Sequence, residues 1–471
     1  MTAGFVVALL PVVGFAAAGM RRALVVTAVL GYALVLAAVY ASDIVPVYRY
    51  AHLIDAAPDR QALLVATALA VAPSLWLGVS ARRPSTVLLW ALYLIGYVPA
   101  IVIGLYLTGD LGHVLPYDLA LLASMAILGL LLRLPPLPLA VRGLALTGYT
   151  RLLVGLAALC LVYVAATFGI HRPPSLSAIY ETRAEFATAI PSSLGGGYIV
   201  PWAANAINPT LMALGIARRR WGLVALAVAG QVLIYSVTGY RTTLFSIVVV
   251  PVVYTGVALA RRSFGVAAAL GLSVALILAL ATPLATRETR ALATRTVATP
   301  AQVTTYYFDY FSEHRTYKLS HSFLSSFVAR PYAQEPPDLI GGIYFAPEHP
   351  QANADLWGDA YANFRVAGII VFSVLFGVAL LIADGVGQGR DLRVAGPPLA
   401  MIGLSLSNSG FFTTVLTLGF AAACALIALM PAMPLRAPPS HREPDAQEAL
   451  EPDHLEDPVV PGGGRPAIPP A

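Results

Sequence analysis

Two acids and an amide recur at a spacing of four residues in the stretch "HPQANADLWGDAYANFRVAGIIVFSVLFG", which runs from 349 to 377. Asp355, Asp359 and Asn363 would share one face of a helix, directly ahead of an apolar run long enough to enter a bilayer. A carboxylate in such a place can accept a proton from a hydroxyl group. The alternative is local, because the dipole of a helix favours acids near its N-terminus. Whether these acids are catalytic or only stabilise the start of a helix depends on which residues other segments place beside them.

Basic side chains that could face these acids lie in segments which the hydropathy places on the same side of a membrane. They are Arg241, Arg287, Arg290, Arg315 and His314. Guanidinium groups bind phosphate oxygens through paired hydrogen bonds, and an arginine near a membrane boundary is costly unless it snorkels or pairs with an anion. Arg287, Arg290 and Arg295 would share a face if the preceding helix continued outward. Simpler interpretations remain open, since Glu288 or lipid headgroups could pair with these arginines and His314 could be a solvated loop residue.

The composition places these residues in a membrane protein. Hydrophobic residues make up 58% of the 471 positions and charged residues 11%, far from the balance of a soluble domain. Several charge-free runs are each long enough to cross a bilayer as a helix. The sequence therefore predicts an all-α polytopic membrane protein with about thirteen spans and one long extracytoplasmic loop. The predicted spans are 3–19, 23–41, 61–80, 87–107, 118–132, 152–170, 196–217, 221–238, 242–260, 263–282, 364–383, 396–410 and 412–430.

Arginines sort into alternate short loops, which by the positive-inside rule face the cytoplasm. The N-terminus is then outside and the C-terminus inside. The loop of about eighty residues, 283–363, is extracytoplasmic, and we expect it to form a cap between the membrane segments 1–282 and 364–431. Residues 432–471 hold ten prolines and seven acids against three arginines, a composition that predicts a disordered cytoplasmic tail. Cys160 and Cys424 fall in apolar spans and predict neither a disulfide nor a cysteine metal site.

Three stretches resemble a known family. The segment "SVTGYRTTLF", 236–245, is similar to a Gly-x-Arg segment at an external helix end, and "ANADLWGDAYANFRVAGII", 352–370, is similar to an Asn-rich run that leads out of a long external loop. The closing "LSNSGFFTTVLTLGF", 406–420, has a similar Ser-rich hairpin. The family is that of the oligosaccharide repeat unit polymerases of bacterial envelopes, the Wzy-type O-antigen and exopolysaccharide polymerases. The chain departs from the family's pattern at Asp359, where Glu is common, and at Arg365, where Gly is expected after Phe364.

The resemblance implies a glycosyltransferase in the bacterial cytoplasmic membrane. An oligosaccharide on an undecaprenyl diphosphate carrier would be transferred to the terminal sugar hydroxyl of another lipid-linked unit, and the carrier diphosphate would leave. The residues expected to bind the diphosphate are Arg241, Arg287, Arg290 and Arg315, with Arg241 also acting in catalysis. The base would be Asp359 or His314. The residues expected to orient sugar hydroxyls are Asn353, Asp355 and Asn363.

The same reading carries expectations about cofactors and partners. No metal or other cofactor is expected, because no external acid pair or His–acid cluster has metal-ligand spacing. The expected partners are the lipid-linked oligosaccharide, membrane lipid, a chain-length regulator and a flippase, and nucleic acid is not among them.

Three other functions fit the predicted spans. A ligase that attaches finished glycan to its final acceptor shares the architecture of the polymerases. A metal-dependent lipid-phosphate-sugar glycosyltransferase usually presents acids in its first external loop, which here has only the scattered Asp43, Asp55 and Asp59. A lipid-linked oligosaccharide transporter would line a cavity through the membrane with its charges, and it has less need of a long external loop.

Overall fold

The structure, a computed structural model, describes residues 2–139, 141–174, 179, 182, 185–186, 196–322, 325–345 and 351–433, with side chains from residue 19 onward except that of 196. Every regular element in these ranges is a helix, and ten helices are long and apolar enough to cross a membrane. The prediction of an all-α polytopic membrane protein is therefore confirmed. The predicted tail, 432–471, lies outside the described residues apart from its first two positions.

The helices fall into three groups along the chain. Those ahead of the predicted long loop are α1 (Thr2–Val39, prolonged by short turns to Ala51), α2 (Arg60–Leu75), α3 (Pro84–Thr108), α4 (Leu111–Leu131), α5 (Leu146–Phe168), α6 (Gly197–Ala217), α7 (Trp221–Thr238), α8 (Arg241–Leu259) and α9 (Arg261–Ala281). Those within it are α10 (Arg287–Ala293), α11 (Thr299–Glu313) and α12 (Pro336–Tyr344). The last group is α13 (Leu356–Val386), α14 (Leu392–Leu406) and α15 (Phe411–Leu429).

The first two predicted spans, 3–19 and 23–41, form the single helix α1. Arg21 and Arg22 lie inside it rather than in a loop, in keeping with the high helix propensity of arginine. Arg22 donates hydrogen bonds to the carbonyl oxygens of Ser74 (2.7 Å) and Leu77 (2.6 Å). These carbonyl groups at the end of α2 stabilise the guanidinium charge, so α1 continues through Arg22 without a break. The count of thirteen spans is not confirmed, and α2 and α14 are shorter apolar helices.

Arginine side chains tie several short loops together at one end of the bundle. Arg83 donates to the carbonyl oxygens of Leu132 (3.1 Å) and Leu134 (2.9 Å), and Arg390 donates to that of Val141 (2.7 Å). Such side chains commonly satisfy the free carbonyl groups at helix C-termini. These bonds join loops that the sequence assigns to the same side of the membrane, and the cytoplasmic position of that side stays a prediction.

At the opposite end, the helix before the long loop does not continue through Arg287. α9 ends at Ala281, and Thr282 takes an extended conformation ahead of Pro283, as expected for a residue that precedes proline. A separate helix, α10, begins at Arg287, where the side chain of Thr286 caps it. The face that the sequence expected Arg287, Arg290 and Arg295 to extend from α9 therefore does not form, because the proline interrupts the helix.

The aromatic stretch "TYYFDYF", 305–311, lies on α11 and packs against the membrane helices. The ring of Phe308 stacks on that of Tyr117 in α4 with centroids 4.4 Å apart, and the Tyr117 hydroxyl donates to the carbonyl oxygen of Phe308 at 2.9 Å. Tyr307, which directly precedes Phe308 on α11, is 1% exposed. Stacked aromatic pairs add stabilisation beyond the area that they bury, so this part of the loop is anchored to the bundle.

α13 reverses direction at Phe364 and Arg365. Phe364 has φ −146° and Arg365 has φ 53° and ψ −141°, both outside the helical range. The Arg365 side chain donates to the carbonyl oxygens of Phe311 (3.0 Å) and His314 (3.4 Å). The turn is thus held against the C-terminal end of α11 by the side chain of the residue that carries the unusual backbone conformation.

Contacts on both sides of this turn show that the chain folds back. The side chains of Trp357 and Ser373 both hydrogen-bond to Ser124 Oγ in α4, at 2.8 and 2.6 Å. In a straight helix these two residues would be roughly 24 Å apart. The sequence did not predict this reversal, because it placed Asp355, Asp359 and Asn363 directly ahead of the apolar run without specifying a turn between them. Residues 356–363, here called the folded-back arm, lie beside the helix that follows them.

Candidate functional site

Asp359 lies where the folded-back arm meets two other segments. Its Oδ1 is 3.8 Å from Nε2 of His321, and the two side chains are 19% and 18% exposed. Asn363 Nδ2 donates to the backbone oxygen of Asp359 at 2.8 Å and lies 3.4 Å from Oδ1. Gly410, in the turn 407–410, is so close that a Cβ there would lie 2.5 Å from Asp359 Cγ. The carboxylate is therefore accessible but confined.

His321 is a functional candidate that sequence reasoning missed. Its Nδ1 is buried and has no hydrogen-bond partner among the described residues, and the same holds for Oγ of the neighbouring Ser320. The imidazole lies edge-on to the ring of Tyr317, with centroids 5.2 Å apart. Buried polar groups normally have partners, so unpaired atoms mark a place that a ligand or water could fill. No spacing in the sequence connects His321 with Asp359, which lies 38 positions later.

Asp355 is the N-cap of α13 and lies just outside this membrane-spanning helix, which begins at Leu356. Its Oδ1 accepts hydrogen bonds from the amides of Trp357 (3.1 Å) and Gly358 (2.7 Å), the bonding expected of aspartate at this position. The residue is 2% exposed. Burial raises the pKa of the carboxyl to about 7, although the two amide donors act in the opposite direction. The capping interpretation from the sequence accounts for this residue, and contact with a sugar would require a rearrangement.

Asn363 makes its hydrogen bonds within the chain. Its Oδ1 accepts from the amide of Leu319 at 2.8 Å, while Nδ2 donates to Asp359. Lys318 and Leu319 have φ values of 53° and 63°, a conformation that costs free energy in residues other than glycine. Asn363 therefore stabilises the turn that brings His321 to Asp359. A role in orienting sugar hydroxyls would require these bonds to break.

Arg241 is the first residue of α8, and its buried Nε has no hydrogen-bond partner among the described residues. α8 runs antiparallel to α14, because Val257 near the end of α8 lies beside Gly396 near the start of α14. The start of α8 therefore lies at the end of the bundle where α14 ends and the turn 407–410 follows. An arginine near a membrane boundary is costly when no anion or polar partner binds it, so this guanidinium is suited to an anionic ligand.

Two further predicted cations, Arg287 and Arg290, occupy a separate place on α10. Both lie close enough to Tyr48, in the extension of α1, to act on its phenol electrostatically. The Nε of Arg290 is buried without a hydrogen-bond partner among the described residues. These arginines thus form a second basic group, on a different element from Arg241.

His314, Arg315 and Asn353 are exposed. The imidazole of His314 stacks on Tyr310 with centroids 4.0 Å apart, and Nδ1 lies 2.8 Å from the carbonyl oxygen of the same tyrosine. His314 is therefore occupied at the end of its own helix, whereas His321 lies beside Asp359. Of the two bases that the sequence suggested, Asp359 has the more enclosed surroundings.

Three segments that are far apart in the sequence build this site. They are the folded-back arm, the turn at 317–322 and the turn 407–410, and the start of α8 lies at the same end of the bundle. A confined carboxylate beside an imidazole can take a proton from a hydroxyl group. A guanidinium whose Nε has no partner among the described residues, such as that of Arg241, can stabilise a leaving anion. The arrangement is therefore suited to transfer of a group from an anionic leaving group to a hydroxyl.

Comparison of the chain with family models, with characterised proteins and with solved structures finds no match. Within the described ranges, no group of three or more His, Cys, Asp or Glu side chains is arranged to hold a metal ion. The functional interpretation consequently depends on the residues and on their geometry.

Proposed function

We propose that the protein polymerises oligosaccharide repeat units carried on undecaprenyl diphosphate, by glycosyl transfer at the outer face of a bacterial cytoplasmic membrane. The observation that carries this proposal is the convergence of the three stretches that resemble the repeat unit polymerases. Asp359 of the second stretch abuts Gly410 of the third, and the helix begun by Arg241 of the first packs on α14, which leads into that turn. Since the stretches are far apart in the sequence, their convergence favours one shared site over three local roles.

The backbone at Arg365 supplies a second support. Its φ of 53° and ψ of −141° lie in a region that glycine adopts freely and that other residues avoid. This is the position at which the resemblance expects glycine. Arg365 thus replaces the glycine of the family at a turn whose backbone conformation favours glycine.

In the proposed reaction Asp359 accepts the proton of the acceptor hydroxyl while the acceptor oxygen bonds to the anomeric carbon of the donor sugar. The bond between that carbon and the diphosphate breaks, and the lipid diphosphate leaves with the electron pair. Arg241 stabilises the leaving anion. His321 Nε2 lies 3.8 Å from Asp359 Oδ1, so His321 acts through Asp359 as a positioning residue.

The remaining predicted residues are secondary in this proposal. Arg287 and Arg290 are the second group of cations available to a substrate phosphate, and Arg315 and Asn353 are exposed. A flippase and a chain-length regulator are the proposed protein partners, since the substrate must first reach the outer face and repeated transfer must be brought to an end.

A strain that lacks this gene separates the candidate functions. For a polymerase, single repeat units should accumulate on the lipid carrier, and a plasmid copy should restore long chains. Long chains that remain unattached would instead indicate a ligase, and repeat units retained at the cytoplasmic face would indicate a transporter. An Asp359→Asn copy should behave like the deletion. Glu313→Gln, which alters an exposed acid at the end of α11, is the matched control and should restore polymer.

Normal chain lengths in the deletion strain, or in cells carrying only the Asp359→Asn copy at wild-type abundance, would overturn the proposal. Abundance and membrane insertion are measured with a C-terminal fluorescent fusion, so that loss of the protein is not mistaken for loss of the reaction.

A further inference from the structure

A cavity of about 290 Å³ opens at the arginine-rich end of the bundle, far from the candidate site. It lies between the end of α2, the start of α3 and the end of α4. Its lining combines two indoles, several apolar side chains and three guanidinium groups. The residues that matter here are Trp76, Trp90, Leu89, Thr86, Arg82, Arg83 and Arg133. A volume of this size approaches that of ordinary small-ligand pockets, roughly 300–1,000 Å³.

The walls of the cavity depend on two glycines. A Cβ at Gly129 would lie 2.5 Å from Trp76 Cδ1, and one at Gly265 would lie 2.6 Å from Trp90 Cε2. The indole nitrogens donate to backbone oxygens, that of Trp90 to Gly78 at 2.8 Å. The two rings are therefore fixed in place, and the cavity is a built feature of the fold.

Positive charge exceeds negative charge around this cavity. Arg83 has an acidic neighbour in Asp384, whose Oδ2 is 3.8 Å from Arg83 Nη1. Asp384 also accepts hydrogen bonds from the amide and hydroxyl of Ser85. Arg22 adds a further charge and repels Arg133. The described lining of the cavity has three guanidinium groups and no carboxylate, an imbalance that an anion would relieve.

The arginines divide into those that hold the fold and those that are available to a ligand. Arg22 and Arg83 donate to backbone carbonyl groups of the neighbouring helices. Arg82 and Arg133 are exposed, and neither side chain forms a hydrogen bond or an ion pair within the part of the chain that the structure describes. Guanidinium groups bind phosphate oxygens through paired hydrogen bonds, so these two can bind a phosphate.

The surroundings of the cavity point to a lipid as the source of that phosphate. Leu75 and Leu130, next to the lining residues on α2 and α4, are 58% and 63% exposed. On a membrane-spanning helix such leucines face acyl chains. Tryptophan side chains also favour the depth at which lipid headgroups lie. A ligand that carries both a phosphate and acyl chains would satisfy the arginines and the leucines together.

We propose that this cavity binds the phosphate headgroup of an anionic phospholipid. Basic pockets between membrane helices are known as a general means of binding such headgroups. Arg82 and Arg133 contact the phosphate, while Trp76 and Trp90 form the wall against which the glycerol backbone lies. This site is independent of the chemistry proposed at the opposite end of the bundle.

The test uses the full-length protein, purified in a neutral detergent and titrated with phosphatidylglycerol, phosphatidylcholine or glycerol phosphate. Thermal unfolding and native mass spectrometry report binding. Phosphatidylglycerol should raise the unfolding temperature and remain bound, and the other two probes should bind more weakly. The double variant Arg82→Gln/Arg133→Gln should lose affinity by roughly 30-fold, since each basic residue near a membrane surface contributes about a fivefold factor.

Two further variants separate the cavity from surface charge in general. Thr86→Phe keeps every arginine but fills the cavity, so it should also lose phosphatidylglycerol. Arg218→Gln/Arg220→Gln removes the same charge from exposed positions at the α6–α7 loop and should bind like the wild type. Size-exclusion profiles establish that each variant is folded.

Retention of wild-type affinity by Arg82→Gln/Arg133→Gln or by Thr86→Phe would overturn the proposal. An equal loss in Arg218→Gln/Arg220→Gln would reduce the effect to nonspecific charge and would also overturn it. Glycerol phosphate that binds as tightly as phosphatidylglycerol would show a site for a free phosphate compound and would overturn the assignment to a lipid.

Discussion

Replacing Gly410 by alanine tests the confinement of Asp359. Gly410 has φ −67° and ψ 164°, a conformation that alanine adopts without strain. The added Cβ would lie 2.5 Å from Asp359 Cγ, whereas ordinary contacts begin at 3.4 Å. The carboxylate must therefore move by about 1 Å, a displacement that commonly reduces a rate by roughly 100-fold when the group takes part in the chemistry.

The assay measures polymer formed per minute from a synthetic lipid-diphosphate donor by purified protein. Gly410→Ala should reduce this rate by roughly two orders of magnitude while destabilising the fold by only about 1–3 kcal/mol. Gly342→Ala is the control, because Gly342 is exposed and a Cβ there would meet nothing within 4 Å. It should polymerise at the wild-type rate.

A second readout does not depend on the proposed reaction. If the alanine methyl group collides with Asp359, the unfolding temperature of Gly410→Ala should fall and should recover when Asp359→Ala is added, because the colliding carboxylate is gone. A wild-type rate for Gly410→Ala would refute the idea that catalysis needs Asp359 in this position. Failure of Asp359→Ala to restore stability would refute the contact itself.

Four other changes have defined outcomes. Arg241→Ala should lose affinity for undecaprenyl diphosphate in a binding assay, and Arg241→Lys should stay impaired because lysine lacks the paired donors of the guanidinium. The pKa of Asp355 is raised to about 7, so the folded state holds the proton of this carboxyl more tightly than the unfolded state does. Thermal stability in detergent should therefore fall as the pH rises from about 4 through about 7. Asp355→Asn should remove that pH dependence while keeping the N-cap hydrogen bonds. Arg365→Gly should be more stable than Arg365→Ala by about 1–3 kcal/mol in denaturation experiments, because both lose the side chain and only glycine relieves the backbone. Ser325→Cys, in a chain without its two native cysteines, should react with an impermeant thiol reagent in intact cells, because the predicted topology places 283–363 outside.

The outcomes that contradict these expectations are equally defined. Wild-type affinity in Arg241→Ala would place the diphosphate at another site. A pH dependence that persists in Asp355→Asn would belong to other groups. Equal stability of the two Arg365 variants would show that the turn carries no strain. Labelling of Ser325→Cys only after lysis would reverse the predicted orientation.

Local patterns in the sequence determined the class of this protein and the position of most of its helices. Hydropathy is a property of consecutive residues. A chain that crosses a bilayer must form its backbone hydrogen bonds within each segment, so an apolar run of sufficient length predicts a helix. The resemblance also singled out Arg365, a position whose φ of 53° is one that glycine favours. The failures were local too: Arg21 and Arg22 suggested a loop, although arginine is compatible with the helix that they lie in.

The candidate site depended on contacts that no local pattern contains. The reversal at Phe364–Arg365 is accompanied by hydrogen bonds from the Arg365 side chain to the end of α11, and the local sequence contains no signal for that contact. His321 and Gly410 lie 38 positions before and 51 positions after Asp359, so only the packing of their turns against the folded-back arm brings them to the carboxylate. The same is true of the arginine-lined cavity, whose walls come from three helices. Tertiary structure decides such features because they arise from the packing of distant segments, each of which is already helical or turned for its own local reasons.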